Sequence, residues 1–282
     1  MSRALISFLN SDPPSATIVR MASAPKAGST ARQRARAELT REIKAEARRQ
    51  LAAQGAQQLS LRAVARELGM VSSAIYRYFP SRDDLLTALI IDAYDSLGAA
   101  TEKAGQGQPA AAVRGRWRAV CTAARNWALA NPHEYALIYG SPVPGYQAPE
   151  ATIAPAARVA VVFGQILADA TALRLNAVPG QDAPGAADGQ PQPGQQAPGA
   201  ADGQPRSAPA LSPLLALQAA ALADAIAPGV PAPVIARALI AWTQLFGMIS
   251  FELFGQFVGS ADPADEFFAY AVDQMATLVG LD

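Results

Sequence analysis

The chain has 282 residues and is 51% hydrophobic, which is enough to bury a core in two small domains. One cysteine, Cys121, excludes an intrachain disulfide, and with a single histidine, His133, the sequence lacks the ligands of a Cys/His zinc site, so no metal or cofactor is expected. The net charge is zero, but residues 1–90 carry 14 Lys and Arg against 7 Asp and Glu, whereas residues 91–282 carry 9 against 16. A basic head on an acidic body is expected when only one end of a protein meets nucleic acid.

The first 30 residues are rich in Ser, Ala and Pro without a hydrophobic period, and we interpret them as a disordered extension. Met21 is an alternative start, which would leave residues 1–20 untranslated. The longest apolar candidate, at 238–251, is shorter than the ~18 to 20 residues that cross a membrane, and 4–9 is too short for a signal-peptide core. A cytoplasmic protein with no membrane contact is therefore expected.

Residues 31–54 are predicted to form a helix, because apolar residues recur every four positions and Gly55 follows them. Basic residues cover its outer faces, and glutamates balance those of the later turns, as on any solvated surface. Three arginines at the start have no such partners in the sequence and are candidates for contacts with DNA phosphates: Arg32, Arg34 and Arg36.

Residues 59–84 are typical of two short helices around a tight turn, followed by a third helix. Ser60 is a suitable N-cap for the first helix, and Gly69 can end it in the left-handed conformation. A second short helix is predicted at 72–79, where Pro80 stops it. This is a helix-turn-helix, the arrangement that lays its second helix in the major groove of DNA.

Polar and aromatic side chains of the second helix are left outside when Ile75 and Phe79 face inward. Arginine can bond two acceptors of a guanine edge, serine reaches base or phosphate, and a tyrosine hydroxyl can donate to phosphate. The alternatives are that the tyrosines are core aromatics and the arginines solvated surface residues. The candidates for DNA contact are Ser60, Arg62, Ser72, Ser73, Tyr76, Arg77 and Tyr78.

The runs L-S-L-R-A-V-A-R-E-L-G at 59–69 and I-Y-R-Y-F-P-S-R-D-D-L at 75–85 resemble the TetR family of bacterial transcriptional regulators. The resemblance implies an all-α fold, with a three-helix DNA-binding domain at 31–80 and a helical regulatory and dimerisation domain at 81–282. By position, it implies base contacts for Arg62, Ser72, Ser73 and Arg77, and phosphate contacts for Tyr76, Tyr78 and Arg82. Val71 and Tyr78 stand where the family often has Ser and His.

The second domain is predicted to be a succession of helices. Asn131 and Pro132 are expected as N-cap and first residue of a short helix. The predicted helices lie at 82–103, 110–130, 132–139, 150–175, 213–227 and 233–258, with a last one capped by the residues at 262–265. The helix at 150–175 is apolar on nearly all sides and should be central and buried.

Residues 177–210 interrupt this succession. They hold seven Pro and six Gly, and the segment at 179–191 recurs with one change at 193–205. A tandem copy with no hydrophobic residue larger than Ala cannot form a core, so we interpret the segment as a disordered linker, with partner binding as the alternative.

An effector pocket is expected among apolar and aromatic side chains of the second domain, although core packing explains each of them as well. The candidates are Trp117, Cys121, Trp127, Tyr135, Tyr139, Phe163, Trp242 and Phe246. Cys121 is also interpreted as a small buried residue, with a redox sensor as the alternative. The run W-T-Q-L-F-G at 242–247 resembles the C-terminal ligand domain called WHG in part of the TetR family, with Phe246 where that group usually has His.

The helix at 233–258 carries two apolar stripes, so one is expected to pack in its own core and the other against a second subunit. The predicted dimer contacts are Ile240, Phe251, Phe254, Val258, Phe268, Val272 and Met275.

The resemblance implies a homodimeric repressor that binds a palindromic double-stranded DNA operator and leaves it when a small molecule binds; the pocket candidates favour an apolar or aromatic effector. A sequence-neutral DNA-coating protein is one alternative. A small helical enzyme that uses His133 is another, but adjacent helical residues such as His133 and Glu134 point apart, and the sequence has no Gly-x-Ser-x-Gly motif.

Overall fold

The computed structural model describes residues 31–176 and 210–281, and in these two ranges the chain is helical, without strands. The helices are α1 (Ala31–Gln54), α2 (Leu61–Glu67), α3 (Ser72–Ile75), α4 (Arg82–Gln106), α5 (Val113–Ala130), α6 (Pro132–Tyr139), α7 (Ile153–Asn176), α8 (Pro213–Ile226), α9 (Ala232–Leu253) and α10 (Ala264–Val279). Short 3-10 turns lie at Ala56–Gln58 and Glu150–Thr152. The predicted all-α fold is confirmed. The segments predicted as disordered, 1–30 and 177–209, lie outside the described residues.

The first three helices form the N-terminal head. The Ser60 hydroxyl accepts a hydrogen bond from the Ala63 amide at 3.4 Å, so α2 begins at Leu61 as predicted. Gly69 ends the helix with a φ of +65°, which only glycine adopts without strain. α3 is shorter than predicted: regular helix stops at Ile75, and the chain continues to Pro80 as turns.

α4 begins at the head and continues among the remaining helices, α5 to α10, which together with α4 we call the body. The Ser81 hydroxyl accepts from the Asp84 amide at 3.1 Å and donates to the Asp84 carboxylate at 2.7 Å, which fixes the start of the helix as predicted. Its buried face, which includes Leu86, Leu89 and Tyr94, packs on α5 and α7. The first turn of α4 therefore adjoins the head, and the rest belongs to the core of the body.

Helix α7 lies at the centre of the body, as its apolar sequence predicted, between α4, α5 and α8. Gly164 marks its closest approach to a neighbour: a Cβ added there would overlap the Ile226 carbonyl at the end of α8. The glycine is needed because it lets these two helices approach so closely.

Replacing Gly164 with alanine is therefore expected to destabilise the protein by about 1 to 3 kcal/mol, since the methyl group forces α8 away from α7. Urea denaturation measures this loss. Gly115→Ala is the matched control, because a Cβ there meets its neighbours only at 3.7 Å or beyond. It should be neutral or stabilising by up to about 1 kcal/mol, and equal effects of the two variants would contradict the assignment.

The predicted bounds of α6 are confirmed, but two predicted side-chain caps and the predicted end of α9 were wrong. The Asn131 side chain does not cap α6; its amide donates backward to the Trp127 carbonyl at 2.8 Å, although Pro132 does open the helix. α9 ends at Leu253 rather than at 258, because Gly255 turns the chain with a φ of +72°. In addition, α10 begins without a side-chain cap at its N-terminus.

The expectation that no segment has the length of a membrane span was also wrong. Glu150–Leu175 and Ala232–Leu253 are both long and apolar enough to cross a bilayer. In the most apolar 18 residues of each segment, half of the first and a third of the second are buried inside this fold. Core helices of helical proteins pass the same test, and both of these segments pack against neighbouring helices.

Candidate DNA-binding head and effector cavity

The helix-turn-helix presents five candidate DNA-contacting side chains to solvent: Arg62, Ser72, Ser73, Tyr76 and Arg77. Buried Ile75 and Phe79 hold this segment from below, as the sequence predicted. Tyr76 has an exposed fraction of 41%, so it is not a core aromatic, whereas Tyr78 is half-buried against the core of the head. Ser60 is also half-buried, and its hydroxyl oxygen is used by the cap of α2.

The arginines of α1 divide into two groups. Arg32 and Arg34 are exposed in the first turn. We call residues 72–79 the recognition segment. Arg36, also expected to contact phosphate, is directed at the end of this segment. Its Nη2 donates to the Arg77 carbonyl at 3.0 Å, and its guanidinium carbon lies 5.2 Å from the centre of the Tyr78 ring.

Arg82, which was predicted to contact phosphate, makes hydrogen bonds within the chain. Its Nε donates to the Leu59 carbonyl at 3.1 Å, and its Nη2 donates to the carbonyls of Ala56 and Gln57 at 2.8 and 3.3 Å. Asp83 lies 3.3 Å from its remaining Nη1. With these donors engaged, Arg82 ties the start of α4 to the turn before α2, an arrangement that the sequence did not predict.

A network of ion pairs joins the head to the body. Arg48 of α1 donates to Glu134 of α6 at 2.6 Å and to Asp92 of α4 at 2.7 Å, and Lys44 reaches the same aspartate at 2.7 Å. The sequence had assigned both basic residues to a solvated face. The sequence did contain one sign of this network: Asp92 is an acidic residue on the same line of α4 as the apolar residues Leu85 and Leu89, where a buried acid needs a basic partner.

An apolar cavity of about 50 Å³ lies between α7, α8 and α9, with Trp117 of α5 at its edge. Three of the predicted pocket residues line it: Trp117, Phe163 and Trp242. The predicted set contained none of the aliphatic wall, which includes Leu167, Leu222, Ile226, Ile235 and Leu239. These residues follow ordinary core periodicity, so nothing in the sequence distinguished a cavity wall from packed core.

The other five predicted pocket residues do not line this cavity: Cys121, Trp127, Tyr135, Tyr139 and Phe246. Trp127 donates its indole N–H to the Ser96 hydroxyl at 2.9 Å. Cys121 is completely buried, and burial raises the pKa of its thiol far above the usual range, which fits a small core residue rather than a redox sensor.

The remaining aromatic residues connect the cavity to α6. Trp242 lies 4.6 Å from Phe246, and Phe246 stacks on Tyr139 at 4.2 Å, both measured between ring centroids. The Tyr135 hydroxyl lies 2.8 Å from the Phe246 carbonyl, to which it donates, and burial raises the pKa of Tyr135 to about 12, so the donor stays protonated. An unbroken chain of contacts therefore runs from a cavity wall to the helix that carries Glu134.

Four of the seven predicted dimer residues are available to a partner. Ile240, Phe251, Phe254 and Val258 are exposed. Phe268, Val272 and Met275 were assigned to the wrong face, because they are buried in the chain's own core, where the Trp117 indole donates to the Val272 carbonyl at 3.2 Å. The outer face of α10 carries instead Phe267, Tyr270 and Leu278.

Four exposed or half-buried phenylalanines, which lie at or just after the end of α9 and at the start of α10, are what we call the aromatic ridge: Phe251, Phe254, Phe257 and Phe267. Ring centroids are 5.8 Å apart for Phe251 and Phe257 and 5.4 Å apart for Phe257 and Phe267. The ridge joins the end of α9 to the start of α10. An exposed aromatic patch of this kind is typical of a protein interface.

Comparison with known proteins agrees with this architecture. Residues 43–89 match the model of the bacterial regulatory proteins of the tetR family, and residues 117–191 and 186–275 match that of the tetracyclin repressor-like C-terminal domain. The chain is 50% identical over 111 residues to the HTH-type transcriptional regulators Rv1816 of Mycobacterium tuberculosis (strain ATCC 25618 / H37Rv) and Mb1846 of Mycobacterium bovis. That match covers 39% of this chain, and the chain spans about half, 47%, of the length of these curated relatives.

Two solved structures share the fold. The crystal structure of SCO4313, described as a regulatory protein, is 31% identical, with a TM-score of 0.62 over 88% of this chain and 100% of that one. A protein of unknown function from Rhodococcus sp. RHA1 is 23% identical, with a TM-score of 0.56 over 90% of this chain and 97% of that one, and shows the fold alone. Since the family models match the head and most of the body, the chain belongs to the TetR family of DNA-binding transcriptional regulators.

Proposed function

We propose that the protein is a homodimeric repressor that binds a palindromic operator and releases it when a small apolar or aromatic effector enters the cavity. One observation carries the proposal: the helix-turn-helix leaves Arg62, Ser72, Ser73, Tyr76 and Arg77 exposed, while apolar residues hold the segment to the head. These are side chains suited to base edges and phosphates. The proposed location is the cytoplasm, and the proposed activity needs neither a cofactor nor a membrane.

The chemistry of the cavity supports an apolar effector, because its lining is almost entirely hydrocarbon and aromatic. Its volume of about 50 Å³ is small, since an engineered cavity that binds benzene has about 150 Å³. An effector must therefore push α7, α8 and α9 apart. To move an equilibrium from 1:99 to 99:1, it has to bind the expanded state about 10⁴-fold more tightly.

The route from cavity to head follows from the contacts described above. Displacement of Trp242 moves Phe246, which stacks on Tyr139 of α6. α6 also carries Glu134, the partner of Arg48 in α1. Because Arg48 and Asp92 of α4 share the same network, a shift of α6 changes the position of the head relative to α4. We propose this as the coupling between effector and operator.

The enzyme alternative has no support from the geometry around His133. Glu134, its nearest acidic neighbour in sequence, is bound to Arg48 and turned toward the head. His133 itself is exposed at the start of α6. We therefore propose a regulator rather than an enzyme that uses His133.

Replacing Arg77 with alanine should relax sequence preference at one position of each half-site, at a cost of about 1 to 3 kcal/mol for the preferred base pair. The measurement is fluorescence anisotropy at fixed salt, with duplexes from the gene's own upstream region and with scrambled duplexes. Arg66→Ala, an exposed arginine of α2 outside the candidate set, is the matched control.

Two results would count against the proposal. Equal loss of affinity for preferred and scrambled duplexes would show that Arg77 does not contact a base. A wild-type protein that binds every duplex equally at matched salt would be a sequence-neutral DNA-coating protein.

A further inference from the structure

The recognition helix is too short to hold its own C-terminal end. α3 has a single helical turn, Ser72–Ile75, yet the exposed Tyr76 and Arg77 lie beyond it, in a segment of successive turns. The amides of Arg77 and Tyr78 bond to the carbonyls of Ala74 and Ile75. Carbonyls at and beyond a helix end have no amide of their own helix to accept from, so the Arg77 carbonyl is left to accept from water or from another element.

Arg36 supplies a donor from α1. Its Nη2 lies 3.0 Å from the Arg77 carbonyl oxygen, although 41 positions separate the two residues. The same guanidinium lies over the Tyr78 ring, with 5.2 Å between the guanidinium carbon and the ring centroid. One planar cation thus makes a charge-assisted hydrogen bond and a cation–π contact with two consecutive residues. A lysine has no planar group and cannot reproduce both contacts.

We infer that Arg36 is a positioning residue for operator reading: it fixes the backbone of Arg77 and the ring of Tyr78 and does not contact DNA phosphate. The inference rests on the proposed function of the head. It differs from the sequence-based expectation, which grouped Arg36 with Arg32 and Arg34 as phosphate contacts. Arg36 belongs to α1, and Lys44 and Arg48 join α1 to the body. The position of the recognition segment therefore depends on how α1 is placed against the body.

The first experiment separates positioning from phosphate contact. Arg36→Gln and Arg36→Lys should each weaken operator binding by about tenfold, because the loosened segment must be ordered again on binding. The ratio of operator to scrambled affinity should fall, while the slope of log K against log salt stays that of the wild type. Arg32→Gln, one turn earlier on the same helix, should do the reverse and reduce the slope by about 0.9.

A lower salt slope in Arg36→Gln with an unchanged specificity ratio would overturn the inference, as would full operator affinity in Arg36→Lys. Full affinity in Arg36→Lys would mean that a positive charge is enough at this position, so that the residue acts on DNA phosphate or through the electrostatic field of the head.

A second measurement needs no DNA, so it distinguishes failure of this inference from failure of the proposed function. In the free protein, amide hydrogen exchange of residues 76–79 should be about tenfold faster in Arg36→Gln than in the wild type, with exchange in α4 unchanged. Circular dichroism checks that the variant is folded. Unchanged exchange at 76–79 would overturn the inference even if operator binding were lost.

Discussion

Replacing Phe251 and Phe254 together with aspartate is expected to convert the proposed dimer into monomers and to abolish tight operator binding. Both residues are half exposed, at 54% and 53%, and belong to the aromatic ridge that joins α9 and α10. In a symmetric dimer each substitution occurs on both sides of the interface, so four carboxylates would have to be desolvated. The loss of dimerisation free energy should exceed about 2 kcal/mol, the lower bound for a single hot-spot residue.

Analytical ultracentrifugation measures the state of assembly, and operator binding is measured in parallel. Leu129→Asp is the control, because it introduces the same charge at another exposed apolar residue, 40% exposed, on α5. That variant should remain dimeric. A double aspartate variant that still sediments as a dimer would mean that another face joins the subunits. A monomer that keeps full operator affinity would contradict the proposal that a dimer binds the two half-sites of a palindromic operator.

The second large effect is expected at Arg125. This buried arginine donates through Nε to Glu252 at 2.7 Å and through Nη1 to Asp265 at 2.7 Å, and it lies over the Phe268 ring. Hydrogen bonds to Glu252 raise the pKa of Arg125 above its ordinary value. The cluster joins α5 to the end of α9 and the start of α10.

Arg125→Met is expected to lower the free energy of unfolding by about 3 kcal/mol, because it leaves the Glu252 carboxylate largely buried without its counter-ion. The double variant Arg125→Met with Glu252→Leu should recover most of that loss, since a well-packed apolar pair is often as stable as a buried ion pair. Urea denaturation monitored by circular dichroism gives both values.

Arg118→Met on the same helix provides the comparison. Arg118 pairs with Asp273 at an exposed site, where water screens the pair, so its removal should lower the free energy of unfolding far less than the loss of Arg125 does. If Arg125→Met proved as stable as Arg118→Met, or if the double variant lost stability additively, the ion cluster would not be the source of the effect.

Local signals in the sequence determined the helices of this protein. Caps act within three residues, as the bonds made by Ser60, Ser81 and Ser212 show, and these three helices begin where their caps predicted. Gly69 ended α2 for the equally local reason that it adopts a positive φ at little cost. The inner and outer faces of the recognition segment also followed from a period within one helix, with Ile75 buried and Arg77 exposed.

The sequence alone could not determine which partners the long side chains choose. Arg36 and Arg82 had the appearance of phosphate contacts, but their partners lie 41 and 23 to 26 positions away, and only the packing of the head brings those carbonyls within reach. The same holds for Arg48 and Glu134, which are 86 positions apart. A guanidinium is exposed in any helix taken alone, and its hydrogen bonds are decided only when a second element arrives.

Tertiary structure also decided which apolar stripe faces inward. α9 and α10 each carry apolar residues on two sides, and periodicity cannot rank two stripes of similar hydrophobicity. Packing against α5 buried Val272 and Met275 and left Phe267 and Tyr270 outside. The cavity wall is of the same kind, since Leu222 and Ile235 are ordinary core residues until three helices fail to close completely around them. Bonds within one turn are encoded in neighbouring residues, whereas burial and ion pairing depend on distances that exist only once the whole chain has folded.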